Sequence, residues 1–325
     1  MTETTDRPLV TFALFAYNQE QYIREAVEGA FSQTYEPLEI ILSDDCSSDR
    51  TFEIMQEMAA AYEGPHEVRV RQNAMNLRLA GHINSIVESA NGEIVCWAAG
   101  DDISLPQRTE LLATPMIDDP ETVGVHSTVR EMDISGKLGE VRLHGEHVMH
   151  LTLDKIIYSG GGVVSQAHAF RKFAFDRFGP LQAHLTNEGP AMAFRECLLG
   201  NIIYIPKPTV LYRIGSGVST YSGNDLHTKK NLEPIKYSKW RLTAIQQMLQ
   251  DLHSVKPPNY NEMLAKLSKR ERYFENLFHI NSGKNPLSSL ISNTWLVGID
   301  KASIRAFVRV TCPNSFYSLF ISSRT

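Results

Sequence analysis

The chain has 325 residues, 42% apolar and 21% charged, which excludes disorder throughout and leaves apolar surface for one large domain or two smaller ones. With 32 basic and 37 acidic residues the net charge is −5, which argues against a nucleic-acid binder. The cysteines Cys46, Cys96, Cys197 and Cys312 form no C-x-x-C pair, so neither a zinc site nor a disulfide framework is expected, and a reducing cytoplasm fits.

In chain order, the polar start MTETTDRP lacks the apolar core of a signal peptide, and no run reaches the roughly 20 apolar residues of a membrane span. Secretion and membrane spanning are not expected; peripheral attachment stays open. Leu9 to Ala16 (LVTFALFA) reads as a strand buried on both faces. Ile23, Ala26, Val27, Ala30 and Phe31 then recur at helical spacing, and Leu38 to Leu42 reads as a second strand. After the loop SDDCSSD, Phe52, Met55, Ala59 and Tyr62 mark a helix that Asp49 is placed to cap. Val68 to Arg71 is a weaker strand, and Ile83, Ile86, Val87 and Ala90 form a third helical stripe. Ile94 to Ala98 (IVCWA) is a buried strand running into Gly100-Asp101-Asp102. Such alternation implies a largely parallel sheet with helices on both faces, and ligands bind beyond the carboxyl ends of its strands. Tyr17-Asn18, Asp44-Asp45 and Asp101-Asp102 all lie at those ends.

Further on, Val123 to Val129 and VVSQAHAF (163–170) read as strands, Arg171 to Phe178 and Ala191 to Leu199 as helices, and Ile202 to Ile205 as a strand. Gly215 to Asn231 is rich in Gly, Ser, Thr and Asn, a loop or lid. Beyond it strands cease, and helices are expected over about 234–253 and 260–280. The division is therefore a domain over 1–231, with a part over 1–105 and another over 106–231, and a helical region over 232–325.

Asp101 and Asp102 repel each other unless something compensates, and a divalent cation or a helix-capping role for Asp102 would each do so. Asp44 and Asp45 serve either an ordinary turn or hydrogen bonds to a ribose or base. Tyr17 is either a stacking ring or a partly buried tyrosine. Glu188 is either a first-turn glutamate favoured by the helix dipole or a general base.

Taken together, TFALFAYNQEQYIREAVEGAFSQTYEPLEIILSDDCSSDRT and NLRLAGHINSIVESANGEIVCWAAGDDISLPQRTELL resemble family 2 glycosyltransferases. LTNEGPAMAFRECLLGNIIYIPKPTVLYR resembles that family's second acidic motif, so the likeness covers about residues 8–213. It implies a GT-A (Rossmann-like) α/β fold, a mostly parallel sheet flanked by helices, with a C-terminal helical appendage outside the likeness. It implies that Tyr17 stacks on the base of a nucleotide-sugar, Asp45 bonds that base, and Asp44 and Asn18 shape the pocket. Arg78 would lie near the nucleotide, Asp101 on the ribose or sugar, Asp102 on Mn²⁺ or Mg²⁺, and Glu188 would be the base of an inverting transfer. Gly100 stands where a three-acid version of the motif carries its first acid, and Asn187 replaces the acid before Glu188.

The partners implied are a UDP- or dTDP-sugar donor and a saccharide or lipid-linked saccharide acceptor, with peripheral membrane contact and a second copy of the chain left open. The broad analogy is to cytoplasmic enzymes of bacterial surface polysaccharide assembly. Gly160 to Gly162 and the 215–231 loop are expected on the acceptor side. The rivals are a nucleotidyltransferase, for which AYNQEQ offers no Gly-rich phosphate loop, and a catalytically silent nucleotide-sugar-binding module. Lys301, Arg305, Arg309 and Arg324 make the end basic, which suits helix packing or a membrane surface.

Overall fold

A computed structural model describes residues 7–216, 232–298 and 300–311. From residue 217 the expected 215–231 loop lies outside the described residues, as do Cys312, Arg324 and the side chain of Arg309. The chain forms two compact units, 1–220 and 221–325.

The first unit opens with β1 (Val10–Ala16), apolar on both faces because helices cover each of them. In α1 (Ile23–Phe31), Ile23, Ala26, Val27 and Ala30 fall on one buried stripe. There follow β2 (Leu38–Asp44), α2 (Thr51–Ala60), β3 (Glu67–Gln72), α3 (Arg78–Ser89) and β4 (Ile94–Ala99). Asp49 caps as expected only in part. Its Oδ1 accepts from Thr51 N (3.0 Å) and its Oδ2 from Glu20 N (3.1 Å), so it ties the start of α2 to the loop after β1.

Next come β5 (Ile103–Ser104), α4 (Arg108–Asp118), β6 (Thr122–Ser127), β7 (Arg130–Met132), β8 (Leu138–Val141) and the single turn α5 (Glu146–Met149). The unit closes with β9 (His168–Arg171), α6 (Lys172–Asp176), α7 (Gly189–Leu199), β10 (Asn201–Ile205) and β11 (Val210–Arg213). The strand expected over 163–170 starts only at His168. Val164 N donates to His126 Nδ1 (3.2 Å) and the Ser165 carbonyl accepts from the Trp97 indole (2.8 Å), so side chains take backbone groups a strand ladder would use.

The main sheet has the order β10-β6-β9-β4-β1-β2-β3, parallel except for β9, and a smaller sheet runs β5-β11-β7-β8. β2 and β3 lie on one side of β1, and the chain then crosses back to place β4 on the other. That reversal is where doubly wound sheets open a ligand crevice.

The second unit is helical: α8 (Glu233–Val255), α9 (Tyr260–Asn281), α10 (Pro286–Val297) and α11 (Lys301–Thr311). Lys256, at φ 42°, caps α8 in the left-handed region, and Pro257-Pro258 prevent continuation. No described helix is long and apolar enough to cross a membrane.

One charge is built into the interior of the sheet. Glu39 on β2 is 1% exposed and accepts from Asn91 N (2.6 Å), Arg69 Nη2 (2.7 Å), Asn91 Nδ2 (3.0 Å), Gly92 N (3.2 Å) and the Thr11 hydroxyl. Burial alone would raise its pKa, but bonds from Thr11, Asn91 and Arg69 hold it below the ordinary 4.5. The stabilisation is therefore complete above the unfolded pKa and fades as pH falls through the folded one. Glu39→Gln should cost about 2 kcal/mol near neutrality. Chemical denaturation across a pH series should show that deficit shrinking toward acid.

Candidate active site

β4, β1 and β2 are neighbours in register, Ala16 facing Asp44 and Phe15 facing Ala99. Backbone bonds carry the register past the strand ends: Asp45 N donates to Ala16 O and Gly100 N to Phe15 O, both at 3.0 Å. Tyr17, Asp45 and Asp101 thus emerge side by side at one edge. Three non-glycine residues at this end hold left-handed backbone: Asn18 (φ 52°), Cys46 (φ 62°) and Arg78 (φ 61°).

Tyr17 is 43% exposed, its ring open to a planar partner. Asn18 clips the first loop to the second, its Oδ1 accepting from Ser48 N (2.9 Å) and its own N–H donating to Ser47 Oγ (2.8 Å). Asp44 is fully buried and accepts from Ser47 N (2.8 Å), Gln72 Nε2 (2.9 Å) and the Ser47 hydroxyl. Asp45 is buried, its Oδ1 accepting from Asn73 Nδ2 (2.7 Å) and Leu77 N (2.9 Å). Arg78 is exposed at the start of α3.

Sequence reasoning missed the layer behind these loops. Arg71 donates to Ser43 Oγ (2.8 Å) and Asn73 Oδ1 (2.7 Å), and His82 Nε2 lies 2.8 Å from Ser43 Oγ. Burial brings the His82 pKa down to about 4, so the ring is neutral near pH 7. Polar residues scattered over β2, β3 and α3 carry no motif, so only the fold shows them as one network.

Asp101 and Asp102 are both buried. Burial raises the pKa of each, and for Asp102 the adjacent Asp101 charge adds to a large rise. Asp102 does not cap a helix: its Oδ1 accepts from Arg213 N (2.9 Å) on β11. Arg213 also donates through Nε to the Asp101 carbonyl (3.0 Å), pairs with Glu25 on α1 and stacks on the Tyr22 ring at 4.5 Å. Asp101 Oδ2 accepts from Ser216 Oγ (2.8 Å). The guanidinium thus grips the backbone of the acidic loop and Glu25, not the carboxylates themselves.

Gly100 has a steric reason. A Cβ there would sit 2.4 Å from Gln19 Oε1 and 2.6 Å from Ala16 Cβ, so an acidic side chain has no room.

The donor set suits a hard divalent cation, since it offers carboxylate oxygen whose ionised form needs a compensating charge. Among the described residues no group of three or more His, Cys, Asp or Glu side chains forms a ligand set, so substrate oxygens and water would complete it.

Glu188 is 8% exposed at the amino end of α7. Burial raises its pKa, against the opposing effects of a Ser165 hydrogen bond and the neighbouring His168. The 162–165 segment packs closely over that end, for a Cβ on Gly162 would meet Pro190 N at 2.8 Å. The Trp97 indole on β4 holds the Ser165 carbonyl, so this segment lies against β4, with Glu188 beside Ser165. Val164, Ala167 and Val210 share one apolar cluster, which joins the segment to the strand carrying Arg213. Of the expected acceptor-side segments, Gly160 to Gly162 thus adjoins Glu188. Arg195 does not face this end. It is fully buried, donates to Gly179 O (2.9 Å) and stacks between Phe175 and Phe178.

Behind Glu188 lies a second unforeseen cluster. His168 Nε2 and Glu196 Oε1 are 2.9 Å apart, both fully buried. A Cβ on Gly124 would lie 2.0 Å from Glu196 Oε2, so only glycine leaves space for this carboxyl. Burial pushes Glu196 well up and His168 down to about 3, and His126 also falls to about 3. Burial thus opposes charge on both members of the pair. Two clefts, of about 330 Å³ beside Arg24 and Tyr62 and about 530 Å³ beside Asp119 and Cys197, lie away from these strand ends.

A mostly parallel, doubly wound sheet with an acidic pair beyond β4 and helices on both faces is the architecture of the GT-A fold, which the solved structures below share. Residues 11–179 match the model of glycosyl transferase family 2, and the chain belongs to that family. EpsE of Bacillus subtilis is 37% identical over 103 residues, 32% of this chain and 36% of EpsE, so the match spans about a third of that relative. In fold, the chain is similar to S. aureus TarS 1-349 in complex with UDP, with TM-score 0.60, 14% identity and coverage of 97% of this chain and 92% of that one. It is also similar to the mannosyltransferase PcManGT of Pyrobaculum calidifontis in complex with GDP-Man and Mn²⁺, with TM-score 0.55, 16% identity and coverage of 98% and 84%.

Glu196 gives this geometry a test. A carboxyl whose folded pKa is raised stabilises fully below its unfolded value and loses that contribution as pH rises toward the folded one. Glu196→Gln removes the titration. Its melting temperature should gain on wild type as pH rises above about 5, the region where the unfolded carboxyl ionises and the folded one resists. A constant offset across that range would show that Glu196 is not held protonated.

Proposed function

We propose that the chain is an inverting glycosyltransferase that moves a sugar from a UDP- or dTDP-sugar to an acceptor hydroxyl of a saccharide or lipid-linked saccharide. The context would be bacterial cell-surface polysaccharide synthesis on the cytoplasmic side. What supports this reading is the buried acidic pair fixed by Arg213 beyond β4, together with a buried Glu188 at the start of α7, close to Ser165, whose carbonyl is held by Trp97 of β4.

In this reading residues 1–105 hold the donor, and residues 106–231 complete the catalytic domain on the acceptor side. Tyr17 stacks on the base, with Asn18 and Asp44 fixing the two loops that flank it. Asp45 bonds a base N–H, and Arg78 lies over the nucleotide. Asp101, oriented by Ser216, accepts from a ribose or sugar hydroxyl. Asp102 would hold Mn²⁺ or Mg²⁺ together with the donor's diphosphate, and that ion would offset charge on the departing nucleoside diphosphate.

Glu188 removes the proton of the acceptor hydroxyl. The acceptor oxygen bonds to the anomeric carbon as the bond from that carbon to the phosphate oxygen breaks on the opposite face, which inverts the centre. Burial suits Glu188 to this task, since a raised pKa brings a carboxylate nearer the working pH of a general base.

A thermal-shift panel of nucleotide-sugars with and without Mn²⁺ tests the reading. At least one UDP- or dTDP-sugar should raise the melting temperature, and Asp102→Asn should abolish the Mn²⁺-dependent part. Stabilisation by no nucleotide at all would refute the assignment. Glu188→Gln should keep donor binding and lower turnover about 10²- to 10⁴-fold. In wild type the acid limb of turnover against pH should lie above the 4.5 of an ordinary glutamate. That limb should vanish in the variant.

A further inference from the structure

α10 turns an apolar stripe outward, although Leu290 and Leu296 are partly buried and Ser288, Ser292 and Thr294 are also exposed. Its sequence, PLSSLISNTWLV, contains no charged residue. The face packed within the unit buries Ser289 and Asn293, whose amide donates to Ser303 Oγ (2.9 Å) and Tyr273 O (3.3 Å). The outer face carries Leu287 (58% exposed), Ile291 (50%) and Trp295 (88%) at four-residue steps, one continuous apolar stripe. A globular surface gains nothing by burying serine and asparagine while showing tryptophan to water, and among the described residues nothing covers the stripe, so it calls for an apolar partner.

Charge narrows the choice. Residues 284–311 contain four basic side chains, Lys284, Lys301, Arg305 and Arg309, and one acid, Asp300, in a protein of net charge −5. That single acid caps α11, accepting from Ser303 N (2.8 Å) and Ala302 N (3.1 Å). Lys301 and Arg305, one turn apart, are exposed. Three apolar side chains on one helix cover a few hundred Å², well short of the roughly 1,000 Å² a stable dimer needs. An uncharged apolar stripe with an indole, flanked by lysine and arginine, matches the interface of an anionic bilayer.

We propose that α10 docks the protein on an anionic lipid surface, with Leu287, Ile291 and Trp295 entering the headgroup boundary and Lys301 and Arg305 facing acidic headgroups. The inference is independent of the donor and of Glu188.

Flotation of the full chain with vesicles tests it, comparing pure phosphatidylcholine with phosphatidylcholine containing about one third phosphatidylglycerol. Binding should favour the anionic vesicles and weaken with salt. Trp295→Ser with Ile291→Ser should lower the partition constant at least about tenfold. Lys301→Glu with Arg305→Glu should cost about fivefold or more per residue. These positions are exposed, so unchanged far-ultraviolet circular dichroism is expected and separates lost docking from lost folding. Absence of binding to anionic vesicles, or binding that the Trp295 and Ile291 substitutions leave intact, would overturn the proposal. So would a concentration-dependent dimer in ultracentrifugation that the same substitutions abolish, since the stripe would then serve a second copy.

Discussion

Two adjacent carboxylates buried at the end of β4 are the constraint on which this end of the molecule depends. Asp101 and Asp102 resist ionisation where they lie, through burial and, for Asp102, through the charge of its neighbour. A fold keeps such an arrangement only if other groups fix it in place. Arg213 does so from more than a hundred positions away, with its backbone on Asp102, its guanidinium on the Asp101 carbonyl and Glu25, and its plane on Tyr22. The short antiparallel pairing of β11 with β5 brings it there. The acids are held in position while burial still opposes their ionisation.

The same division between positioning and function recurs around the rim. Asp44 spends its oxygens on Ser47 and Gln72, and Asn18 spends its amide on Ser48, so these two shape loops while Tyr17 stays open. Behind the donor side, neutral His82 closes a hydrogen-bonded layer with Ser43 and Arg71. Behind Glu188, His126 holds Val164 and the His168–Glu196 pair fills the space that Gly124 leaves. Burial keeps the histidines of both layers neutral.

Much of the first unit was legible in the sequence, because strands buried on both faces leave unbroken apolar runs and helices over them leave 3–4 spacing. LVTFALFA, LEIIL and IVCWA became β1, β2 and β4, and their polar sequels met because parallel strands carry all their carboxyl ends to one edge. The strand expected from Val163 shortened to His168, since Trp97 and His126 capture backbone groups of Val164 and Ser165. Asp102 likewise met Arg213 and not the start of α4.

By itself the sequence determined most strands of the main sheet and the helices between them, the family and the acidic pair, because each is written in local periodicity or in contiguous motifs. The smaller sheet of β5, β11, β7 and β8, made of strands of two to four residues, left no such signal. Only the tertiary structure decided that Gly100 must lack a side chain and that Arg213 anchors the acids. It alone decided that Glu196 and His168 are buried together, and that α10 turns its apolar stripe outward. Those facts depend on which distant side chains share a volume, and no window along the chain contains both members of such a pair.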